Sequence, residues 1–296
     1  MIIDFHQHII VRQSTDPASH RTAEHVLAHL RHHGGGKVII LPNDRGESVA
    51  PSFEGQGSSE FDTELALDAW RQWPDEIIPF CHVNPLRYDA LDAIRRYHRA
   101  GARGFGEHKV RLAFDHPACL PIYRLCGELG LPVLIHFQYG VYSYNFEAAE
   151  AVFRACPETI FIGHAQAWWA NVSAEVRSDY DAPDFVGYPP GPVVRGGLTD
   201  RWLEEYPNVY GDLSAGSGWN ALTRDPEFGP DFVRRHRSKL LWATDCYCRD
   251  GRGEMAGGHT QECFAARTLP WLREHCVSEE HYADITYRNA MRLLGL

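Results

Sequence analysis

The sequence predicts an α/β protein folded as a (β/α)8 TIM barrel. Two observations carry this expectation. Eight short, β-branched apolar runs alternate with segments of helical period along all 296 residues. Imidazoles and carboxylates then recur at the ends of those runs. The competing fold, an open doubly wound sheet, normally shows a glycine-rich phosphate loop after its first strand. The segment Phe5-His6-Gln7-His8 is no such loop.

The candidate strands are residues 2–8, 37–43, 77–85, 102–110, 131–138, 159–166, 208–214 and 239–246. Helical segments lie between them. Residues 22–34 carry Val26, Leu27 and Leu30 on one face and reach Gly34, a plausible C-cap. Residues 90–101 place Leu91, Ile94 and Tyr97 at helical spacing and end in Gly101. Residues 119–130 and 145–157 repeat the form, the latter stopping at Pro157. No break in composition divides the chain, so residues 1–296 read as one domain. A Gly/Ser-rich connection (46–59) follows the second strand, and a stretch with prolines and aromatics (167–195) follows the sixth. Loops of that length are usually functional or disordered.

Composition narrows the class. Hydrophobic residues make 44% and charged residues 23%, the balance of an ordinary globular protein. The net charge of −10 and a pI near 5.9 argue against a nucleic-acid binder. No apolar run approaches the ~18 residues of a membrane helix. Met1-Ile2-Ile3-Asp4 lacks the basic start of a signal peptide. The eight cysteines are scattered without a Cys-x-x-Cys pair, so a reduced, cytoplasmic protein is expected. The unusual count is histidine, at 17.

Position gives those histidines meaning. Residues i and i+2 of a strand share a face. His6 and His8 should therefore project together, with Asp4 one step deeper. His136, His164 and Asp245 stand at matching ends of the fifth, sixth and eighth strands, and Glu107 and Lys109 share a face of the fourth. In a parallel barrel these ends meet at one mouth. Imidazole and carboxylate together suit zinc, manganese or iron. Packed there without a cation they would form a buried, poorly satisfied polar cluster.

With these residues in place, the sequence resembles the amidohydrolase superfamily. Within it, the likeness is to the amidohydrolase-related branch that includes aminocarboxymuconate-semialdehyde decarboxylase. Asp4–His8, Ile135-His136, Gly163-His164-Ala165 and Thr244-Asp245 stand where that family carries its strand motifs. The ending 285–296, with Asn289-Ala290 ahead of Arg292-Leu293-Leu294, is similar to its terminal helix. The resemblance implies a divalent metal bound by His6, His8, His136 and Asp245, with zinc the expected ion and manganese or iron the alternatives. It implies His164 beside the metal as general acid/base or electrophile. Gly104–Lys109 looks like the strand-four motif of metal-dependent deoxyribonucleases. On that reading Glu107 is a ligand too, His164 can serve a second metal, and the site holds two ions. On the other, Glu107 and Lys109 pair at the rim and it holds one.

Such a site does metal-assisted hydrolysis, with Asp245 as base and proton shuttle. The same parts can run a non-oxidative decarboxylation, since hydrolases, lactonases and decarboxylases share the scaffold. A nuclease and a non-catalytic binding protein are the remaining classes. The acidic charge weighs against the first, and the retained His6, His8 and Asp245 against the second. The loops suggest a small, carboxylate- or ring-bearing substrate. Tyr139, Tyr142 and Tyr144 follow the fifth strand, Trp168 and Trp169 the sixth, and Trp219 with Asn220 the seventh. These aromatics either line the pocket or pack the loops onto the barrel. Lys109, Arg111, Arg195 and Arg249 are the candidate carboxylate-binding cations. Cys246 and Cys248 read as small buried side chains. Asp212 either hydrogen-bonds the base of the pocket or closes the seventh strand. A homodimer is the assembly that family analogy suggests.

Overall fold

The structure is a computed structural model describing residues 1–11, 17–43, 62–176, 187–255 and 258–296. The connection at 46–59 lies outside the described residues, as do 177–186 of the stretch after the sixth strand.

Among the described residues, eight parallel strands follow one another in sequence order. They are β1 (Ile2–Gln7), β2 (Gly36–Ile40), β3 (Ile77–Pro79), β4 (Phe105–His108), β5 (Val133–His136), β6 (Phe161–His164), β7 (Val209–Asp212) and β8 (Leu240–Leu241). Strands β1–β3 form one sheet and β4–β8 another. Isolated hydrogen bonds join the two edges. At one seam Cys81 N–H donates to Gly104 O and Gly106 N–H to Cys81 O, each at 2.9 Å. At the other, Phe5 N–H donates to Trp242 O (3.2 Å) and Asp245 N–H to His6 O (3.0 Å). The expected barrel is present, with both seams stitched at points rather than along a continuous ladder.

The helices fall where the periodicity placed them. Helix α1 (Ala23–His32) is capped by Thr22, whose hydroxyl accepts from His25 N–H. Between β2 and β4 come α2 (Thr63–Gln72) and α3 (Ala90–Ala100). Helix α3 ends at Gly101 (φ 117°) and α4 (Leu120–Leu129) at Gly130 (φ 67°), both left-handed caps that favour glycine. Helix α5 (Ala149–Ala155) starts later than the pattern predicts, after a 3₁₀ turn at Phe146–Ala148. The stretch after β6 is not all loop: α6 (Ala165–Ala170) opens it, and α7 (Leu198–Glu205) follows. Beyond β7 come α8 (Ala215–Thr223), α9 (Phe228–Arg235), α10 (Phe264–His275), α11 (Glu279–Ala283) and α12 (Asn289–Leu294). No helix among the described residues is long and apolar enough to cross a membrane.

Strand alternation divides the core. Ile3, Phe5, Ile39, Leu41, Ile78, Phe80, Leu134, Ile162 and Leu241 pack on one another inside the barrel. Their neighbours Ile2, Val38, Ile40, Val133, Ile135, Phe161 and Leu240 belong to the larger core shared with the helices. The terminal motif has a structural job. The Asn289 amide donates to Arg237 O and Leu240 O, each at 2.8 Å, which anchors α12 beside β8. Ala290 then packs on the interior cluster.

Candidate metal centre

The register of β1 is irregular between Asp4 and Gln7. Ile3 and Phe5 face the interior, and the irregularity brings His6 and His8 into the pocket as well. Bulges beside active sites re-aim side chains in this way. Asp4 is accordingly not beneath His6 in the pocket, as simple alternation had it. Its carboxylate accepts from Thr244 N–H (2.9 Å), Thr244 Oγ1–H (2.6 Å) and the Gln7 amide (2.7 Å), and so clamps β1 to the segment after β8.

Strand β4 carries a second irregularity, between Phe105 and His108. Gly106 adopts φ 147°, and a Cβ there would stand 2.7 Å from Leu134 O. Glycine alone fits, and the chain turns Glu107 into the pocket. Its carboxylate lies 3.4 Å from His8 Nε2 through one oxygen. The other oxygen lies 2.5 Å from His136 Nδ1 and 3.7 Å from His164 Nε2. Asp245 completes the cluster, with Oδ1 3.8 Å from His6 Nε2 and 3.7 Å from His8 Nε2, and Oδ2 3.9 Å from His164 Nε2. The structure thus brings His6, His8, Glu107, His136, His164 and Asp245 together. Among the described residues three donor sets emerge here: His6, His8 and Asp245; Glu107, His136 and His164; and His6, His164 and Asp212, which shares one residue with each of the others.

Three residues aim these rings. Asp212 Oδ2 sits 2.6 Å from His6 Nδ1, Leu41 O lies 3.0 Å from His8 Nδ1, and Ser214 Oγ lies 2.9 Å from His164 Nδ1. Each outer partner leaves the ring's Nε2 turned inward, as around metal-bound histidines. Asp212 is therefore a positioning carboxylate, not merely the end of β7.

A cation fits what remains. The Leu41 carbonyl only accepts, so His8 Nδ1 carries a proton, and the Asp212 carboxylate makes the same demand of His6. The two Nε2 atoms then face each other 3.1 Å apart. In neutral rings both present lone pairs, an arrangement relieved by a shared positive charge. Burial opposes a charge on His8, but Glu107 and Asp245 outweigh it and raise its pKa, so a proton or a metal ion can supply that charge. Burial pulls the pKa of His6 down to about 4, against the opposing charges of Asp245 and Glu107. Burial, joined by the His6 charge, pulls His164 well below its usual value. Both rings are thus held in the neutral, metal-binding form. Burial opposes the Glu107 charge, but His136 and Lys109 outweigh it and keep the carboxylate ionised.

Strand ends β6 to β8 share a backbone device. Ala165 (φ 75°), Ala215 (φ 59°) and Asp245 (φ 47°) all stand in the left-handed region. A non-glycine residue there costs about 1–3 kcal/mol, and such strain clusters at functional sites.

The remaining candidates disperse. The Glu107 and Lys109 side chains do not form the rim ion pair. Lys109 Nζ lies over the Tyr142 ring, 5.4 Å from its centroid, with Arg111 over the same ring at 5.7 Å. Tyr139 is buried against Phe146, and its hydroxyl accepts from the Asn171 amide. Trp168 is fully buried among Phe137, Phe146 and Trp202. These two aromatics pack the loops onto the barrel, away from the pocket. Trp219 lies beside Arg267 (5.4 Å). Arg195 pairs with Asp231 at 3.1 Å, and Arg249 donates to His20 O.

A family model described as amidohydrolase matches residues 3–296. The chain belongs to the amidohydrolase family. It is accordingly an enzyme of a superfamily that depends on divalent metals. No curated protein sequence matches this amidohydrolase. Among solved structures it is similar to 5-carboxyvanillate decarboxylase from Novosphingobium aromaticivorans, complexed with manganese and 4-hydroxy-3-methoxy-5-nitrobenzoic acid. That match has a TM-score of 0.64 and 16% identity, and covers 100% of this chain and 96% of the other. It is similar to 2,6-dihydroxybenzoate decarboxylase from Rhizobium, with TM-score 0.62, 13% identity and coverage of 99% and 98%. A probable 2-pyrone-4,6-dicarboxylic acid hydrolase from Acinetobacter baumannii, with citric acid bound, matches at TM-score 0.62 and 14% identity, covering 100% and 99%. At these identities the likeness concerns the amidohydrolase fold.

Proposed function

We propose that this chain is a metal-dependent hydrolase acting on a small, carboxylate- or ring-bearing substrate, with zinc as its ion. One observation carries its metal dependence, and hydrolysis is taken over decarboxylation on the general chemistry of the amidohydrolase family. Glu107 stands between two of the donor sets, one oxygen toward His8 and the other toward His136 and His164. A carboxylate so placed suits two neighbouring cations, His6, His8 and Asp245 holding one, and His136 and His164 the other. A divalent cation lowers the pKa of a bound water from 15.7 to about 7 and polarises a carbonyl.

The chain's own residues do the rest. Asp245 is the most open of the pocket's carboxylates, its side chain 20% exposed against 5% for Glu107. It can take a proton from the attacking water and deliver it to the leaving group. Ser214 fixes the His164 ring so that Nε2 faces the pocket. Lys109 and the Tyr142 ring offer a cation and an aromatic face to an anionic, cyclic substrate.

Decarboxylation is the second reading. The Lys109–Tyr142–Arg111 arrangement also suits an aromatic carboxylate, the kind of compound named for two of the similar structures. Product analysis separates the two. Heavy oxygen from labelled water in a carboxylate product supports hydrolysis. Carbon dioxide release with deuterium on the former carboxyl-bearing carbon, in deuterated water, overturns it. A panel of lactones, amides and aromatic carboxylates provides the substrates.

A further inference from the structure

A second cluster of soft donors lies outside the pocket. His29 comes from the middle of α1, Cys246 follows Asp245, and Cys263 caps the start of α10. They are 1%, 2% and 1% exposed. The three donor atoms lie within 4.8 Å of one another. His29 Nε2 stands 3.2 Å from Cys263 Sγ, and Cys246 Sγ stands 4.0 Å from Cys263 Sγ.

Those spacings match a metal polyhedron. Zinc binds thiolate sulfur at about 2.3 Å and imidazole nitrogen at about 2.0–2.1 Å, with tetrahedral angles. The ligand-to-ligand edges then come to about 3.8 Å for sulfur–sulfur and about 3.6 Å for sulfur–nitrogen. The observed separations, 4.0 and 3.2 Å, bracket those edges. His33, four residues from His29 and at the end of the same helix, places Nε2 3.5 Å from Cys263 Sγ as the nearest further imidazole.

Backbone N–H groups and a guanidinium lie around the sulfurs. Cys248 N–H points at Cys246 Sγ (3.4 Å), and Gly253 N–H at Cys248 Sγ (3.2 Å). Gly253 makes that approach at φ 115°, where a Cβ would meet Gln261 O at 2.6 Å. The fully buried Arg21 guanidinium adds positive charge, held by Cys248 O (3.1 Å) and His8 O (2.8 Å). In a neutral thiol core His29 Nε2 has only the weak contact to Cys263 Sγ, while the buried Nδ1 has no hydrogen-bond partner with or without a cation.

We propose that His29, Cys246 and Cys263 form a structural zinc site, separate from the catalytic pocket. Thiolate and imidazole donors select zinc over harder cations. The site ties α1 and the start of α10 to the residue after Asp245. It thereby fixes the segment that carries the proposed proton shuttle.

X-ray absorption at the zinc edge tests this on the intact, zinc-loaded protein. Among the described residues the pocket offers only nitrogen and oxygen donors, so sulfur scattering points to the second site. A sulfur shell at about 2.3 Å is expected. In a variant carrying Cys246→Ser and Cys263→Ser, that shell and one zinc equivalent should vanish while the nitrogen/oxygen shell persists. Fully loaded wild-type protein without sulfur scatterers overturns the proposal, as does a Cys246–Cys263 disulfide in protein purified under reducing conditions. The wild-type measurement needs no variant to fold. Wild-type protein that binds a single zinc equivalent with sulfur and nitrogen neighbours, lost in the double variant, would support this site and count against the catalytic reading alone.

Discussion

Asp212 Oδ2 lies 2.6 Å from His6 Nδ1, on the side of the ring turned away from the pocket. Burial raises the Asp212 pKa to about 6, so it remains a carboxylate at neutral pH and holds the His6 proton on Nδ1. Asp212→Asn preserves the shape and removes that anionic acceptor. Metal affinity should fall about 10–100-fold, as for other outer partners of metal-bound histidines. Titration against a competing chelator measures it, and an unchanged affinity would refute the assignment.

Glu107 is the residue on which metal count turns. Glu107→Gln keeps its volume and loses one anionic oxygen between His8 and His136. Metal analysis should show one pocket equivalent fewer than wild type, with most activity gone. Retention of the full complement would make Glu107 a partner of the imidazoles and no ligand.

For Asp245→Asn the expected loss is in kcat, by about 10²–10⁴-fold, the usual contribution of general acid–base catalysis. The His136 and His164 set keeps its donors, so part of the metal should remain bound. Activity within a few-fold of wild type would assign the proton transfer elsewhere.

Away from the pocket, Asp200 on α7 joins α9 through His236 Nε2 (2.6 Å) and Arg235 (2.7 and 3.1 Å). Burial opposes the Asp200 charge, but its hydrogen bonds from His236 and Arg235 win and depress its pKa. A depressed carboxylate pKa contributes stability that is full above the unfolded value, about 3.9, and is lost as pH falls through the folded one. Asp200→Asn should cost roughly 1–3 kcal/mol at neutral pH, because Arg235 keeps Asp231. Melting curves between neutral pH and pH 3 should converge for the two proteins. A constant gap would remove Asp200 from the acid response.

The strand-end residues were legible because spacing in a parallel barrel translates directly into position. His136, His164 and Asp245 follow unbroken apolar runs, and their strand registers deliver them to one level. Asp4 escaped simple alternation because β1 is irregular, and a one-residue slip reverses every side chain beyond it. Glu107 was legible as a mouth residue, its ligand and rim readings left open until the irregular β4 turned it inward. Tyr139 and Trp168 were ambiguous for another reason. Loops above the strands fold back over the barrel, so aromatics there fill its upper core. The Asp212–His6 and His29–Cys263 pairs join residues 206 and 234 positions apart, and nothing local in the sequence announces either. For Glu107 the glycine before it was the available clue, since a glycine inside a strand marks a bulge or a close approach.

The left-handed turns at Ala165 and Ala215 each directly follow a residue of the pocket wall, His164 and Ser214. A turn made within one residue redirects the chain before the following segment begins. The orientation of His164 and Ser214 is thereby set before the loops begin. Changes in the loops beyond the buried Trp168 and Trp169 can alter what the pocket accepts while these turns still aim its ligands. The alanines are the hinge points of an adaptable design. Glycine is the substitution they tolerate best, β-branched residues the worst, and loop grafting beyond these turns is the engineering route the architecture leaves open.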